Sequence, residues 1–184
     1  MKKSQTIFFG ANDAVLEGGP QHVPLDRYKE CLKAIILHPL VQAQCPKILL
    51  LTPPPVNEYQ LEPDGSSTVD DQTRRVAATT KLYADGCMDV GKSLNIPVVD
   101  IWGAFMTAVG WVEGEPLIGS KDAPRSEILQ SLLSDGTCIF FKCPNFCPTS
   151  TKFLHTIRVF ATSYSHSSHP ESAILYHPSS SHLT

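Results

Sequence analysis

Lys47-Ile48-Leu49-Leu50-Leu51-Thr52-Pro53-Pro54-Pro55 is a short aliphatic run with no polar alternation, stopped at once by three prolines. A strand solvated on one face alternates apolar with polar residues. An unbroken run of this length reads as a strand covered on both faces, as in a parallel sheet flanked by helices. Upstream, Pro24 opens a stretch with Tyr28, Leu32, Ile35 and Ile36 at i, i+4, i+7 and i+8, one face of a helix. His38-Pro39 interrupts it, since the residue before proline is pushed out of helical geometry, and a short further turn through Val41 follows. Still earlier, Thr6-Ile7-Phe8-Phe9 reads as a strand that ends on the turn-forming cluster Gly10-Ala11-Asn12-Asp13.

Downstream of the prolines a polar loop, residues 53–71, precedes the strongest periodicity in the chain: Val76, Thr80, Tyr83, Cys87, Val90 and Leu94. Arg74, Arg75, Lys81 and Asp85 are assigned to the rest of that helix's surface. Pro97-Val98-Val99-Asp100-Ile101 then reads as a buried strand, residues 102–109 as a short apolar helix and residues 110–120 as a Gly-rich loop. A last helix carries Ile128, Leu129, Leu132 and Leu133 and ends at Ser134-Asp135-Gly136. The order βαβαβαα gives an α/β fold with a parallel sheet.

The chain has 184 residues, 42% hydrophobic, with 15 basic and 18 acidic side chains for a net charge of −3. That length suits one domain with a core. Without a basic excess no phosphate backbone is recruited, which argues against nucleic acid as a partner. The average conceals a seam at Gly136. Residues 1–136 hold 12 basic and 17 acidic groups, whereas residues 137–184 hold only Lys142, Lys152, Arg158 and Glu171. The chain thus divides into a domain, 1–136, and an irregular Ser/His/Cys-rich tail, 137–184, expected to be disordered. The N-terminus lacks the apolar stretch of a secretory leader, and residues 48–51 fall far short of the roughly 20 residues of a membrane span. A cytoplasmic protein without membrane contact is expected, with Cys31, Cys45 and Cys87 as reduced thiols.

No dinucleotide, P-loop or Gly-x-Ser-x-Gly signature occurs. In the tail, Cys138, Cys143 and Cys147 with His155, His166 and His169 match no compact zinc module, so no metal site is assigned.

Gly10-Ala11-Asn12-Asp13 after a strand resembles the third sequence block of the GDSL, or SGNH, hydrolases. The surroundings are similar to the family's isoamyl acetate-hydrolysing branch in Thr6-Ile-Phe-Phe-Gly-Ala-Asn-Asp-Ala14, Gln21-His-Val-Pro-Leu-Asp26, Tyr28-Lys29 and Leu51-Thr-Pro-Pro-Pro-Val56. The likeness continues through Glu58-Tyr59, Val98-Val-Asp100-Ile-Trp102, Phe105-Met106, Gly110-Trp111 and Leu133-Ser-Asp-Gly136. The resemblance implies a flavodoxin-like three-layer sandwich and a Ser-His-Asp reaction on small esters, short-chain acetates among them, with no cofactor. It makes Asn12 an oxyanion-hole donor, Asp135 the triad aspartate, Gly10 a point of close backbone approach to substrate and Asp13 a brace for the loop.

The chain also departs from that pattern. The family's Gly-Asp-Ser block and its second-block glycine, which belong upstream of Asn12, do not occur, and Cys138 stands where the catalytic histidine is expected. A thiol is a nucleophile rather than an imidazole-like proton shuttle. His155, His166, His169, His177 and His182 offer no remedy without a serine to activate. These features predict a truncated domain lacking its first two strands, inactive alone, that aggregates through an exposed edge at residues 6–9. A non-catalytic module that pairs through that edge is the alternative. Tyr59 and Trp111 either line an apolar pocket or pack as ordinary aromatics.

Overall fold

The computed structural model describes residues 4–61, 75–133 and 136. All lie in one compact unit, Met1–Asn145, while a second unit, Phe146–Thr184, is outside the described residues. The elements run β1 (Ser4–Phe8), α1 (Leu25–Ile36), α2 (Pro39–Gln42), β2 (Lys47–Leu51), α3 (Glu58–Leu61), α4 (Ala77–Leu94), β3 (Val98–Val99), α5 (Ile101–Ala108) and α6 (Glu127–Leu132). The strands form a parallel sheet in the order β1-β2-β3. Ser4 lies opposite Lys47, Phe8 opposite Leu51 and Leu50 opposite Val98. Parallel neighbours require crossovers, and helices supply them on both occasions.

Registry places Ile7, Ile48 and Leu50 on one face, where α1 contributes Tyr28, Leu32 and Ile36 and α4 contributes Tyr83, Cys87 and Val90. The Tyr28 and Tyr83 rings meet at 5.2 Å, tilted by 48°. Leu49 and Leu51, on the other face, are only half-buried. The unbroken aliphatic run predicted cover on both faces; α1 and α4 cover the face of Ile7, Ile48 and Leu50, and the residues of β2 on the other face are half-buried.

Three local readings change. Asp100 does not continue β3. Its carboxylate accepts from the Gly103 N–H at 2.9 Å and caps α5, so the strand stops after two residues and Ile101 is helical. The loop after the prolines contains the short helix α3. Arg75 precedes α4 rather than decorating it, and Val15 and Arg75 form an isolated antiparallel bridge.

Candidate active site

The turn that follows β1 carries Gly10, Asn12 and Asp13, three of the residues singled out by the sequence. After β1, Gly10 turns the chain at φ +116°. A Cβ there would sit 2.9 Å from the Tyr28 hydroxyl and 3.1 Å from Pro53 Cγ, so both the backbone angle and the space select glycine. The Tyr28 hydroxyl donates to the Phe9 carbonyl at 3.1 Å. Asp13 folds back to accept from the Gly10 N–H at 3.1 Å, and its carbonyl accepts from Val23 N–H at 3.2 Å. The turn is thereby closed from within and tied to the segment leading into α1. Asn12 lies exposed at its tip.

Asn12 is held from the other side by Arg75. The guanidinium donates to Asn12 Oδ1 at 2.9 Å, to Gln21 Oε1 at 3.0 Å and to the Ala11 carbonyl at 3.2 Å. The sequence assigned Arg75 to a helix surface, and nothing in its spacing pointed to this contact.

The loop after β2 is a second anchoring point. Glu58 accepts from Ala77 N–H, the first residue of α4, at 2.8 Å and from Lys121 N–H at 3.1 Å. Val76, at the N-cap of α4, has no side chain able to do this. A carboxylate brought from elsewhere serves the helix terminus instead, where negative charge is favoured. Asn57 is buried and donates its backbone N–H to the Gly136 carbonyl at 2.8 Å. Gly136, at φ +85°, has no room for a Cβ, which would meet the Asn57 carbonyl at 2.9 Å. Gln60 donates to the Leu133 carbonyl at 3.2 Å, so the end of α6 is fixed to α3. Asp135 and Cys138 lie outside the described residues, as does the rest of the tail with its histidines.

The structure therefore gathers Gly10, Asn12 and Asp13 into one turn and docks Gly136 on α3. Among the described residues no hydrogen bond joins the two groups. The aromatic pair takes the packed alternative. The Tyr59 hydroxyl donates to the Ala123 carbonyl at 2.7 Å, and its ring lies 4.9 Å from Lys121 Nζ and 4.9 Å from the Arg125 guanidinium carbon. Trp111 packs edge-on against Trp102 at 5.5 Å. Behind the site, buried Thr52 donates its hydroxyl to Asp100 at 3.1 Å and accepts from Trp102 N–H at 3.0 Å. Burial pushes the Cys87 thiol up to about 11, with the Tyr28 hydrogen bond opposing the rise; burial, reinforced by Cys87, raises Tyr28 as well. Cys87 is thus an inert thiol at neutral pH.

A GDSL esterase/lipase of Arabidopsis thaliana is 32% identical over 113 residues, covering 58% of this chain and 47% of the relative. The rat isoamyl acetate-hydrolyzing esterase 1 homolog is 36% identical over 101 residues, covering 53% of this chain and 40% of the relative. The curated relatives this chain resembles are GDSL esterase/lipases and isoamyl acetate-hydrolyzing esterase homologs. The chain spans less than half the length of these relatives. No family model matches it. A lipase/acylhydrolase from Enterococcus faecalis has the same fold, with a TM-score of 0.53 at 21% identity over 89% of this chain and 62% of that one. Among the described residues no helix is long and apolar enough to cross a membrane.

Proposed function

We propose that these residues serve a carboxylic-ester hydrolase reaction of the GDSL/SGNH kind, with short-chain acetate esters as the substrate class. The observation that carries this reading is Asn12, presented at the tip of a braced turn at the end of β1, in a chain similar to GDSL esterase/lipases and isoamyl acetate-hydrolyzing esterase homologs. In that reaction a serine oxygen attacks the ester carbonyl while a histidine takes its proton. The carbonyl oxygen becomes an oxyanion and accepts from the Asn12 amide. The proton then passes to the departing alcohol, and water repeats the sequence on the acyl-serine. Asp135 would orient the histidine, and Gly10 would allow close approach to the substrate.

The 184 residues contain no Gly-Asp-Ser, and Cys138 occupies the histidine position. On their own they are therefore proposed to be inactive, and no cofactor or metal is invoked. The purified chain is expected to leave p-nitrophenyl acetate unhydrolysed. Turnover abolished by Asp135→Ala would overturn that inactivity. The esterase reading itself is tested by joining a relative's Gly-Asp-Ser segment ahead of this chain and introducing Cys138→His. Acetate hydrolysis that falls about 100- to 1,000-fold with Asn12→Ala is expected. A folded chimera indifferent to Asn12 would sink it.

A second reading, a non-catalytic module or self-associating chain, is favoured by one observation. Among the described residues β1 pairs only with β2 and forms one edge of the sheet. A strand edge offers unpaired backbone groups to another strand. A stable stoichiometric complex or a defined dimer in sedimentation would support it, and a monodisperse monomer would not.

A further inference from the structure

Arg75 lies outside the stretches quoted above for the resemblance, yet it donates at 2.9 Å to the side chain on which the proposed chemistry depends. Its backbone is fixed by the bridge to Val15, and Ala77, two residues later, is anchored by Glu58. Its guanidinium therefore approaches the loop from a constrained position. Gln21 accepts from the same Nη2 that reaches Asn12. Asp13, the acid next to Asn12 in sequence, is turned inward to the Gly10 N–H. Among the described residues the guanidinium thus faces neutral oxygens and no carboxylate.

A primary amide has an acceptor end and a donor end, and its terminal torsion is broad and roughly two-fold. Only the NH₂ end can stabilise an oxyanion; the carbonyl end would repel it. Arginine can donate but never accept. An Asn12 amide rotated by half a turn would point its own donors at the guanidinium donors and lose the bond to Nη2.

We infer that Arg75 is a positioning residue that selects one orientation of the Asn12 amide, holding Oδ1 inward and presenting Nδ2 at the tip of the loop. This rests on the reading of Asn12 as an oxyanion donor. Its full positive charge on the far side of the amide also polarises the group, making Nδ2–H a stronger donor.

The test needs no substrate and reads the side-chain amide of Asn12 by NMR in the full chain, assigned by its disappearance in Asn12→Asp. In the unaltered chain the Nδ2 order parameter is expected near the rigid range of about 0.85, and in Arg75→Met below about 0.6. The backbone amides of Ala14 and Val15 should stay ordered. Arg75→Lys keeps the charge but cannot reach three acceptors at once, so partial ordering is expected. If Arg75→Met unfolds, Arg75→Lys alone decides. An Asn12 amide as ordered in the folded variant as in the unaltered chain would overturn the inference. So would an unaltered chain whose Asn12 amide is already mobile. A folded Gly-Asp-Ser, Cys138→His chimera that does not hydrolyse acetate esters, beside an unaltered chain with the ordered amide, would remove the enzymatic reading and leave the device standing.

Discussion

The two ends of β1 are built in different ways. Where the strand stops, Gly10, Asp13, Tyr28, Arg75 and Gln21 close a turn whose polar groups are paired with one another and with backbone. At its start, Ser4 and Gln5 share an open cleft with Leu40, Val41, Gln44 and Pro46 of the α2 region. Leu40 is 71% exposed there, and Leu37 is exposed beside it. The strand is continuous and its pairing with β2 regular throughout. The difference therefore comes from what the loops add: polar connections at one end, and an uncovered apolar rim at the other. One end is over-determined, which suits the donor role proposed for Asn12.

That contrast is sharpened most by core and rim truncations of the same residue type. Leu50 has no exposed surface, and Leu50→Ala is expected to cost about 2–5 kcal/mol. Leu40→Ala, at the rim, should shift stability by less than about 0.5 kcal/mol. Denaturant melts of the two variants check the difference; equal losses would mean that the rim is covered in solution. Next comes the turn itself. Gly10→Ala meets both the positive φ and the Tyr28 hydroxyl, and should cost about 1–3 kcal/mol. Removing that hydroxyl in the same chain, as Tyr28→Phe, should recover only part of the loss, because the backbone angle remains.

Glu58 comes next in size. Glu58→Ala leaves Ala77 N–H and Lys121 N–H without their shared acceptor, and about 1–2 kcal/mol of stability should go, read as a lower melting temperature. Glu58→Gln, which keeps an acceptor oxygen, should lose less. The sequence carried a hint of this contact without its content. Val76 is a poor N-cap, so α4 needed an acceptor from elsewhere, but nothing local says that Glu58 provides it. Most of the fold was legible because it rests on periodicity: the spacing of Tyr28, Leu32 and Ile36 and of Thr80, Tyr83, Cys87 and Val90 matches the buried faces observed. β3 was over-extended because Ile101 is apolar in either state and only the Asp100 cap decides between them. In the candidate site, the turn holding Gly10 and Asn12 after β1 was legible in its turn-forming residues and the resemblance. Arg75 was not, since a contact across 63 residues leaves no trace in local spacing.

A smaller effect separates the buried thiol from the exposed one. Cys87 is raised to about 11 by burial, whereas Cys45 is exposed at the rim. In the unfolded chain the Cys87 thiol ionises first, so its contribution to stability is complete below its ordinary range. That contribution is lost as pH rises toward about 11. At pH 10 the loss is about 1 kcal/mol, and Cys87→Ala should flatten that part of the stability–pH profile. Thiol reagents at neutral pH should modify Cys45 well before Cys87. Equal rates would indicate that α4 opens readily away from the sheet.

The smallest expected change in stability belongs to the edge, and there association is the informative readout. Thr6 is exposed on β1, on the face that α1 and α4 do not cover, and Phe9 is 56% exposed just beyond the strand. Thr6→Lys adds a charge to an edge strand without removing a core contact, which should move the melt by less than about 0.5 kcal/mol. If β1 pairs with another copy or a partner strand, that charge should weaken the association seen in sedimentation while leaving the monomer folded. If association is unchanged, the contact lies elsewhere, and the exposed leucines at the start of α2 become the surface to alter next. Either result also bears on the other end of the strand. A charge at Thr6 that leaves the Asn12 amide ordered would show that the turn is held by its own hydrogen bonds, independent of what covers the edge.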